Sequence, residues 1–181
     1  MEPLPSAPIH KLQRKALVRR AASPQEGDEL RALVQSFVRS FGFLATNRTP
    51  CGKPLSVSHA HALMILLECS RVPVRPTQRQ LGTELGIDKS NVARLCARME
   101  NAGHIIQQRC EQDGRARRVS LTDKGARVAA NVEASSRARF TSVLSAIAPH
   151  ARAGVLSALE ALNDAVRELA PREDAAEKDS R

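Results

Sequence analysis

The sequence predicts a mainly α-helical protein that carries one small β-hairpin. Hydrophobic residues make up 42% of the 181 residues, aromatic residues make up 2%, and Trp and Tyr are absent. A core of Leu, Val, Ile and Ala suits helices that pack on helices. Apolar residues recur at helical spacing over long stretches, whereas two short alternating stretches flank the turn dipeptide Asp113-Gly114.

Prolines and capping residues divide the first part of the chain. Residues 1–22 form a basic tail, which we expect either to be mobile or to form a short helix on nucleic acid. Ser23-Pro24-Gln25-Glu26 is a helix-start signature, and the apolar face behind it predicts a first helix that ends near Asn47. A second helix is expected from Ser56 to about Cys69, with Cys69 buried in the core.

Two short helices with a glycine-containing turn between them come next. Thr77-Gln78-Arg79-Gln80 has the Thr-x-x-Gln capping pattern and opens a helix expected over residues 78–85, which Gly86 ends. Asp88 is the expected N-cap of the following helix, which ends at Gly103. Its inward residues should be Val92, Leu95, Cys96 and Met99. Its exposed positions should be Lys89, Ser90, Asn91, Arg94, Ala97 and Arg98.

The hairpin should consist of strands over residues 105–110 and 117–121, joined by the Asp113-Gly114 turn. After Thr122, a long helix is expected to reach Pro149. The last helix has apolar residues at spacings of 4, 3, 4 and 3, which is an a/d seam. Both packing within one chain and a dimer interface fit this seam of two heptads. Its members are Val155, Leu159, Leu162, Val166 and Leu169.

Charge indicates the class of partner. The net charge is +9 and the isoelectric point is about 10.2. Residues 75–127 hold eleven Lys/Arg and six Asp/Glu, a net charge of +5. A polyanion is therefore expected, either nucleic acid or an anionic membrane surface. No apolar run approaches the ~20 residues of a membrane span, and no secretory signal is visible. Four cysteines without CxxC spacing favour free thiols in a reducing cytoplasm.

The order helix, turn, helix and hairpin is that of a winged helix-turn-helix, whose second helix enters the major groove of DNA. Lys and Arg can bind phosphate or guanine, and Asn can bind adenine. The arginines of the hairpin can reach phosphates or a narrow minor groove. Asp113 is a candidate brace for Arg115 through a carboxylate pair. The candidate DNA contacts are Thr77, Gln78, Arg79, Lys89, Ser90, Asn91, Arg94, Arg98, Arg115 and Arg117.

Three segments carry a resemblance to a known family: residues 80–92, residues 95–105, and the run from Asp113-Gly114-Arg115 to Leu121-Thr122-Asp123-Lys124-Gly125. In these, and in helix order over roughly residues 28–170, the chain resembles the multiple-antibiotic-resistance regulator (MarR) family of bacterial transcription factors. The resemblance implies an obligate homodimer in which the first and the last two helices intertwine. Two recognition helices would bind a pseudo-palindromic operator with half-sites about one helical turn apart.

The resemblance also implies a domain organisation and a mode of regulation. Residues 23–56 and 122–170 would form a helical dimerisation region, residues 57–121 the DNA-binding lobe, and residues 171–181 a mobile tail. We expect a repressor whose DNA affinity falls when a small phenolic or lipophilic ligand binds in the cleft between the two regions. The chain has His59 and Ala60 where the family often has Gln and an aromatic residue. Candidate ligand contacts are Phe37, Phe41, Arg48, His59, His61 and Met64.

Other readings remain open at this point. Cys51 lies beside Lys53 and is the candidate for a redox-sensing thiol. A metal sensor is disfavoured, since His59 and His61 diverge on a helix, and no cofactor is expected. No phosphate loop, H-E-x-x-H or G-x-S-x-G motif is present, so we expect no enzyme. An adaptor that contacts proteins through its helices, without binding DNA, is the alternative from another class.

Overall fold

A computed structural model describes residues 21–45, 47–72, 75–110 and 116–169. The chain divides into two compact units, Met1–Phe41 and Gly42–Arg181. The first contains α1 (Pro24–Phe41). The elements of the second are α2 (Val57–Ser70), α3 (Gln78–Leu85), α4 (Lys89–Asn101), β1 (Ile105–Arg109), β2 (Arg117–Leu121), α5 (Asp123–Ser145) and α6 (Pro149–Leu169). The predicted fold class, mainly α with one β-hairpin, is confirmed. Residues 1–20 of the basic tail, Asp113, Arg115 and the C-terminal tail 171–181 lie outside the described residues.

The first helix is shorter than the sequence pattern predicts. α1 ends at Phe41, whereas the apolar spacing predicted an end near Asn47. The next residue, Gly42, has φ of 90°, a left-handed conformation that stops an α-helix and that glycine adopts without steric cost. The apolar periodicity extends past this break because it records only side-chain spacing, not the backbone dihedral.

The core of the second unit is aliphatic, as the composition predicts. It contains the predicted inward residues of α4, and its members come from α2, α3, α4, the hairpin and α5. They are Ala62, Leu63, Leu66, Leu81, Val92, Leu95, Cys96, Met99, Ile105, Val119 and Ala129. Cys96 is fully buried, but the expectation that Cys69 is buried is wrong, because Cys69 is half-exposed at the last turn of α2.

The hairpin is tied to the helix-turn-helix at its base. β1 and β2 are antiparallel, with Ile105 opposite Leu121 and Arg109 opposite Arg117. The N–H of Val119 donates to the carbonyl of Pro76 at 2.9 Å, and Thr77 forms an isolated bridge with Arg118. The start of α3 therefore continues the edge of the hairpin, which fixes the hairpin beside the two short helices. We call this β1–β2 hairpin the wing.

α6 has no buried residue in this chain. Val155, Leu159 and Val166, which belong to the predicted a/d seam, have exposed fractions of 36%, 47% and 60%. In the described residues, no helix combines the length and apolarity that crossing a bilayer requires.

Candidate nucleic-acid interface

α4 separates a buried face from a polar face, as the sequence predicts. Val92, Leu95, Cys96 and Met99 are at most 2% exposed. The six positions predicted to be exposed are all exposed, and five of them are polar or basic. A helix with this division packs on the core through one side and presents donors and cations on the other. The exposed polar positions, which we call the α4 reading face, are Lys89, Ser90, Asn91, Arg94 and Arg98.

One carboxylate organises the start of this face. Asp88 caps α4, and its Oδ1 accepts the N–H groups of Ser90 at 2.9 Å and Asn91 at 2.8 Å. The same Oδ1 accepts the Ser90 hydroxyl at 2.7 Å, and the Asn91 side-chain amide donates to Asp88 Oδ2. Arg94 Nη2 in turn donates to Asn91 Oδ1 at 2.7 Å. These hydrogen bonds lower the pKa of Asp88 to about 2, and the bond from the Asn91 N–H has the largest effect. Asp88 therefore remains ionised at neutral pH.

The start of α3 lies next to the base of the wing. Thr77 closes a reciprocal capping box with Gln80, in which Gln80 N–H donates to Thr77 Oγ1 at 3.2 Å and Thr77 N–H donates to Gln80 Oε1 at 2.8 Å. Thr77 and Gln78 are half-buried and Arg79 is exposed. On β2, Arg117 is exposed as well. The predicted contacts therefore occupy α4, the start of α3 and the wing base.

Sequence reasoning left three exposed arginines out of the candidate set: Arg75, Arg109 and Arg118. The strand register places Arg109 opposite Arg117, and the bridge to Thr77 places Arg118 beside the start of α3. Arg75 immediately precedes Pro76-Thr77, so its place before the α3 cap could have indicated it. The position of Arg118 depends on pairing between distant segments, for which the sequence carries no local signal.

The end of α4 and the start of α5 are joined by side-chain and backbone hydrogen bonds. Thr122 Oγ1 donates to the carbonyl of Gly103 at 2.7 Å, and Thr122 N–H donates to the carbonyl of His104 at 3.0 Å. Lys124 Nζ donates to the carbonyl of Ala102 at 2.7 Å. The start of α5 is therefore bonded directly to the residues that follow the α4 reading face. We call this contact the α4–α5 junction.

A pair of histidines connects α2 to the same junction. His59 Nε2 and His104 Nδ1 are 2.9 Å apart, one ring donating and the other accepting. His104 is 8% exposed. Burial, followed by the charges of His104 and Arg98, lowers the pKa of His59 to about 4, and burial lowers the pKa of His104 as well. Both rings are therefore neutral at physiological pH, which suits a hydrogen bond between them.

The predicted ligand contacts are distributed over different places. Phe37 and Phe41 lie in α1, where their ring centroids are 5.2 Å apart. His61 and Met64 line a groove of about 320 Å³ together with Arg71 and Glu133, and His104 is not among its lining residues. Arg48 is exposed. Within the second unit, the structure therefore brings His61 and Met64 together but directs His59 toward His104.

Cys51 lies in the loop before α2 and is half-exposed. Its Sγ is 3.1 Å from Thr49 Oγ1. The neighbouring ammonium of Lys53 donates to Asn131 Oδ1 at 2.7 Å. Lys53, which the sequence proposed as the activating cation, is thus hydrogen-bonded to α5. In the described ranges, no group of three or more His, Cys, Asp or Glu side chains is arranged to hold a metal ion.

Comparison with known proteins agrees with this arrangement. Residues 55–116, from just before α2 to just before β2, match the model of the MarR family. This segment, which holds the helix-turn-helix and the first strand of the wing, is therefore similar to the MarR family. The fold of the chain is that of solved transcriptional regulators, among them a MarR regulator from Methanosarcina mazei.

Solved structures of MarR-like regulators cover most of the chain. The PcaV transcriptional regulator from Streptomyces coelicolor is 23% identical, and the match covers 80% of this chain and 98% of that one, with a TM-score of 0.59. PcaV in complex with its natural ligand is 22% identical, with coverages of 82% and 99% and a TM-score of 0.58. FabT from Streptococcus pneumoniae in complex with DNA is 19% identical, with coverages of 81% and 98% and a TM-score of 0.60. These likenesses extend the MarR fold beyond residues 55–116.

Proposed function

We propose that the chain is a cytoplasmic, sequence-specific transcriptional repressor without enzymatic activity. In this proposal it binds a pseudo-palindromic operator as a homodimer, and a small ligand lowers its affinity for DNA. Residues 57–121 form the DNA-binding lobe, and residues 23–56 and 122–170 the dimerisation region. The DNA contacts are the α4 reading face together with Thr77, Gln78, Arg79 and Arg117.

The observation that carries the proposal is the α4 reading face. Three basic residues and two hydrogen-bonding residues share the exposed side of one helix whose opposite side is at most 2% exposed. Such a helix is held rigidly and offers the groups that read guanine, adenine and phosphate in a major groove. The crystal structure of FabT with DNA supports DNA binding for this fold.

Two exposed apolar faces support the homodimer. Leu159 and Val166 of α6 are 47% and 60% exposed, and Leu33 of α1 is 63% exposed. Large apolar side chains exposed along one helix are costly in water and often mark an interface. A second copy of the chain would present the same apolar residues, so the interface would be self-complementary.

The groove beside α2 is consistent with a small-molecule signal, because His61 and Met64 combine an imidazole with an apolar side chain there. PcaV was crystallised with its natural ligand, which supports an effector for proteins of this fold. Oxidation of Cys51 is a second candidate signal, because its half-exposed thiol is open to a small oxidant.

Selection of bound DNA from a random pool tests the proposal. We expect a two-fold symmetric motif with half-sites roughly 10 base pairs apart. Asn91→Ala should relax the base preference at one position in each half-site, since Asn91 carries the amide that can read adenine. Arg71→Ala is the matched control, because Arg71 is exposed at the far end of α2 and pairs with Glu133.

The same selection separates the candidate signals. If the selection is repeated with aromatic acids or with peroxide, less DNA that carries the motif should be recovered. The Cys51→Ser variant should lose the effect of peroxide and keep the effect of the acids. An unenriched pool would exclude sequence-specific binding and favour the adaptor role. A motif that Asn91→Ala leaves unaltered would remove Asn91 from the reading face.

A further inference from the structure

The outer edge of strand β1 is bonded to a side chain of α4. The N–H of Val119 on β2 donates to the carbonyl of Pro76, so it points away from β1. Val119 lies opposite Gln107, and when one N–H of an antiparallel pair points outward, the other does as well. The N–H of Gln107 therefore lies at the outer edge of β1, where a strand normally exposes unpaired donors.

The carboxylate of Glu100, in the last turn of α4, binds this edge twice. Its Oε1 accepts the backbone N–H of Gln107 at 3.1 Å, and its Oε2 accepts the side-chain Nε2 of Gln107 at 2.9 Å. Hydrogen bonds to an ionised carboxylate are stronger than those between neutral groups. One side chain thus joins the end of α4 to the middle residue of β1. We call this pair the Glu100–Gln107 clamp.

The side-chain amide of Gln107 keeps this orientation although its oxygen is unpaired. Gln107 Oε1 is buried, and among the described residues it has no hydrogen-bond partner. An unpaired buried acceptor destabilises a fold, and rotation of the amide by half a turn would place that oxygen against the Glu100 carboxylate. An apolar side chain of similar size would fill the same space without this cost. The amide is therefore explained by its bond to Glu100 rather than by packing.

The other edge of the wing is held to the start of α3. Arg118 Nη1 donates to the carbonyl of Arg75 at 3.2 Å, and Arg118 forms a bridge with Thr77. The β2 edge is thus joined to α3, while Glu100 joins the β1 edge to the end of α4. A hairpin held at both edges cannot rotate against the α4 reading face without breaking one of these sets of bonds.

We propose that Glu100 is a positioning residue, which holds the wing at the angle at which the wing and the α4 reading face contact DNA together. This inference rests on the proposed function, because it gives Glu100 a part in DNA recognition without any contact to DNA. Two contact elements that are already fixed relative to each other lose less conformational freedom on binding, so the clamp raises affinity. Arg94 on α4 and Arg117 on β2 are contacts whose spacing it sets.

The clamp reverses the sign that a charge change would otherwise have. Removal of an acidic side chain from a DNA-binding lobe ordinarily raises affinity, because DNA is a polyanion. Glu100→Ala also releases the wing, so we expect it to weaken binding by threefold or more. Glu84→Ala is the matched control, since it removes the same charge from an exposed position on α3, and it should leave affinity unchanged or raise it.

A third variant separates the loss of the clamp from the loss of charge. Glu100→Gln removes the charge but keeps one oxygen that can accept from Gln107, so its affinity should lie between those of the unaltered protein and Glu100→Ala. A charge effect alone predicts that both variants bind equally and more tightly than the unaltered protein. Affinity is measured by fluorescence anisotropy with the full-length protein and a duplex that carries the motif selected from the random pool.

Hydrogen exchange of single amides, followed by NMR, tests the clamp without DNA. The N–H of Cys110 donates to the carbonyl of Ala116 inside the hairpin, so the adjacent N–H of Arg109 points outward at the same edge as that of Gln107. Relative to its rate in an unstructured chain, the Gln107 amide should exchange at least tenfold more slowly than the Arg109 amide. Glu100→Ala should remove most of this difference.

Two results would overturn the proposal: Glu100→Ala binds DNA as tightly as the unaltered protein or more tightly, or the Gln107 amide exchanges as fast as that of Arg109. The exchange comparison uses the unaltered protein, so it remains decisive even if Glu100→Ala fails to fold. If no motif were selected, the proposed function would fail, whereas the exchange rates would still show whether Glu100 holds the wing.

Discussion

Replacement of Gly125 by alanine should destabilise the protein through one backbone contact at the α4–α5 junction. Gly125 is in the first turn of α5, where its N–H donates to Thr122 Oγ1 at 2.9 Å. A Cβ at this position would lie 1.8 Å from the carbonyl oxygen of His104 and 2.7 Å from its carbonyl carbon. Carbon atoms in contact are normally ~3.5–4.0 Å apart, and a backbone carbonyl cannot rotate away as a side chain can.

The loss of stability can be estimated from the groups that the new Cβ would displace. Overpacking of this kind costs ~1–3 kcal/mol, and the Thr122 N–H to His104 carbonyl bond, worth about 1 kcal/mol, is strained in the same movement. Alanine regains at most ~1 kcal/mol through its higher helix propensity. A net loss of roughly 1–3 kcal/mol corresponds to a fall in Tm of ~2–12 °C for a chain of this size.

Thermal unfolding at a fixed protein concentration measures the effect, since the stability of an oligomer depends on concentration. Gly154→Ala is the matched control, because no atom lies within 4 Å of a Cβ there. It should leave Tm unchanged or raise it slightly. If Gly125→Ala were as stable as the unaltered protein, the close approach of α5 to His104 would be wrong, and so would the account of the junction.

Three further predictions concern the histidine pair, the wing and α6. Because the pKa of His59 is lowered to about 4 in the folded protein and unfolded histidine titrates near ~6.5, protons bind the unfolded chain preferentially, and stability should fall as pH decreases from about 6.5 toward 4. His59→Gln should reduce the fall in Tm between pH 7.5 and pH 5, whereas the control His150→Gln should show the full fall. If Tm depended equally on pH in the two variants, His59 would be excluded as a major cause of the loss of stability in acid. Arg117→Ala should reduce the slope of log K against log salt by ~0.9 if Arg117 binds one phosphate, and Arg71→Ala should not; an unchanged slope removes Arg117 from the DNA contacts. If the proposed dimer forms through the a/d seam, Leu159→Glu should convert it to a monomer in analytical ultracentrifugation, because the substitution places a charge in the seam. Ser157→Glu, on another side of α6, should not; a dimer that tolerates Leu159→Glu does not use that seam.

The sequence predicted the helix-turn-helix closely because its boundaries are set by local chemistry. Thr77 and Asp88 cap the two helices through bonds to residues two or three positions away, so both starts can be recognised from short patterns. The exposed face of α4 follows from the same periodicity that buries Leu95. The end of α1 was predicted less well, because the left-handed backbone at Gly42 leaves the apolar spacing unchanged.

The contacts between distant segments could not be predicted in this way. His59 and His104 are 45 residues apart, and nothing near either residue in the sequence requires the other. The sequence therefore allowed His59 to be placed among ligand contacts, whereas its ring in the structure is hydrogen-bonded to His104. The role of Arg118 beside Thr77 similarly depends on the strand register, which the hairpin pattern suggests only within the wing.

In the proposed function, the α4–α5 junction is the connection through which a signal would reach the reading face. Thr122 and Lys124 bond directly to the carbonyls at the end of α4, and His104 holds α2 to the same point. With this many hydrogen bonds, α4 and the start of α5 respond together, so a change at α2 is expected to tilt α4 as a unit rather than unwind it. The cap at Asp88 lies at the opposite end of α4 from the junction, and its hydrogen bonds are internal to the start of that helix. A tilt would therefore change the spacing of two reading faces in a dimer while it leaves each face intact, and spacing is what a pseudo-palindromic operator measures.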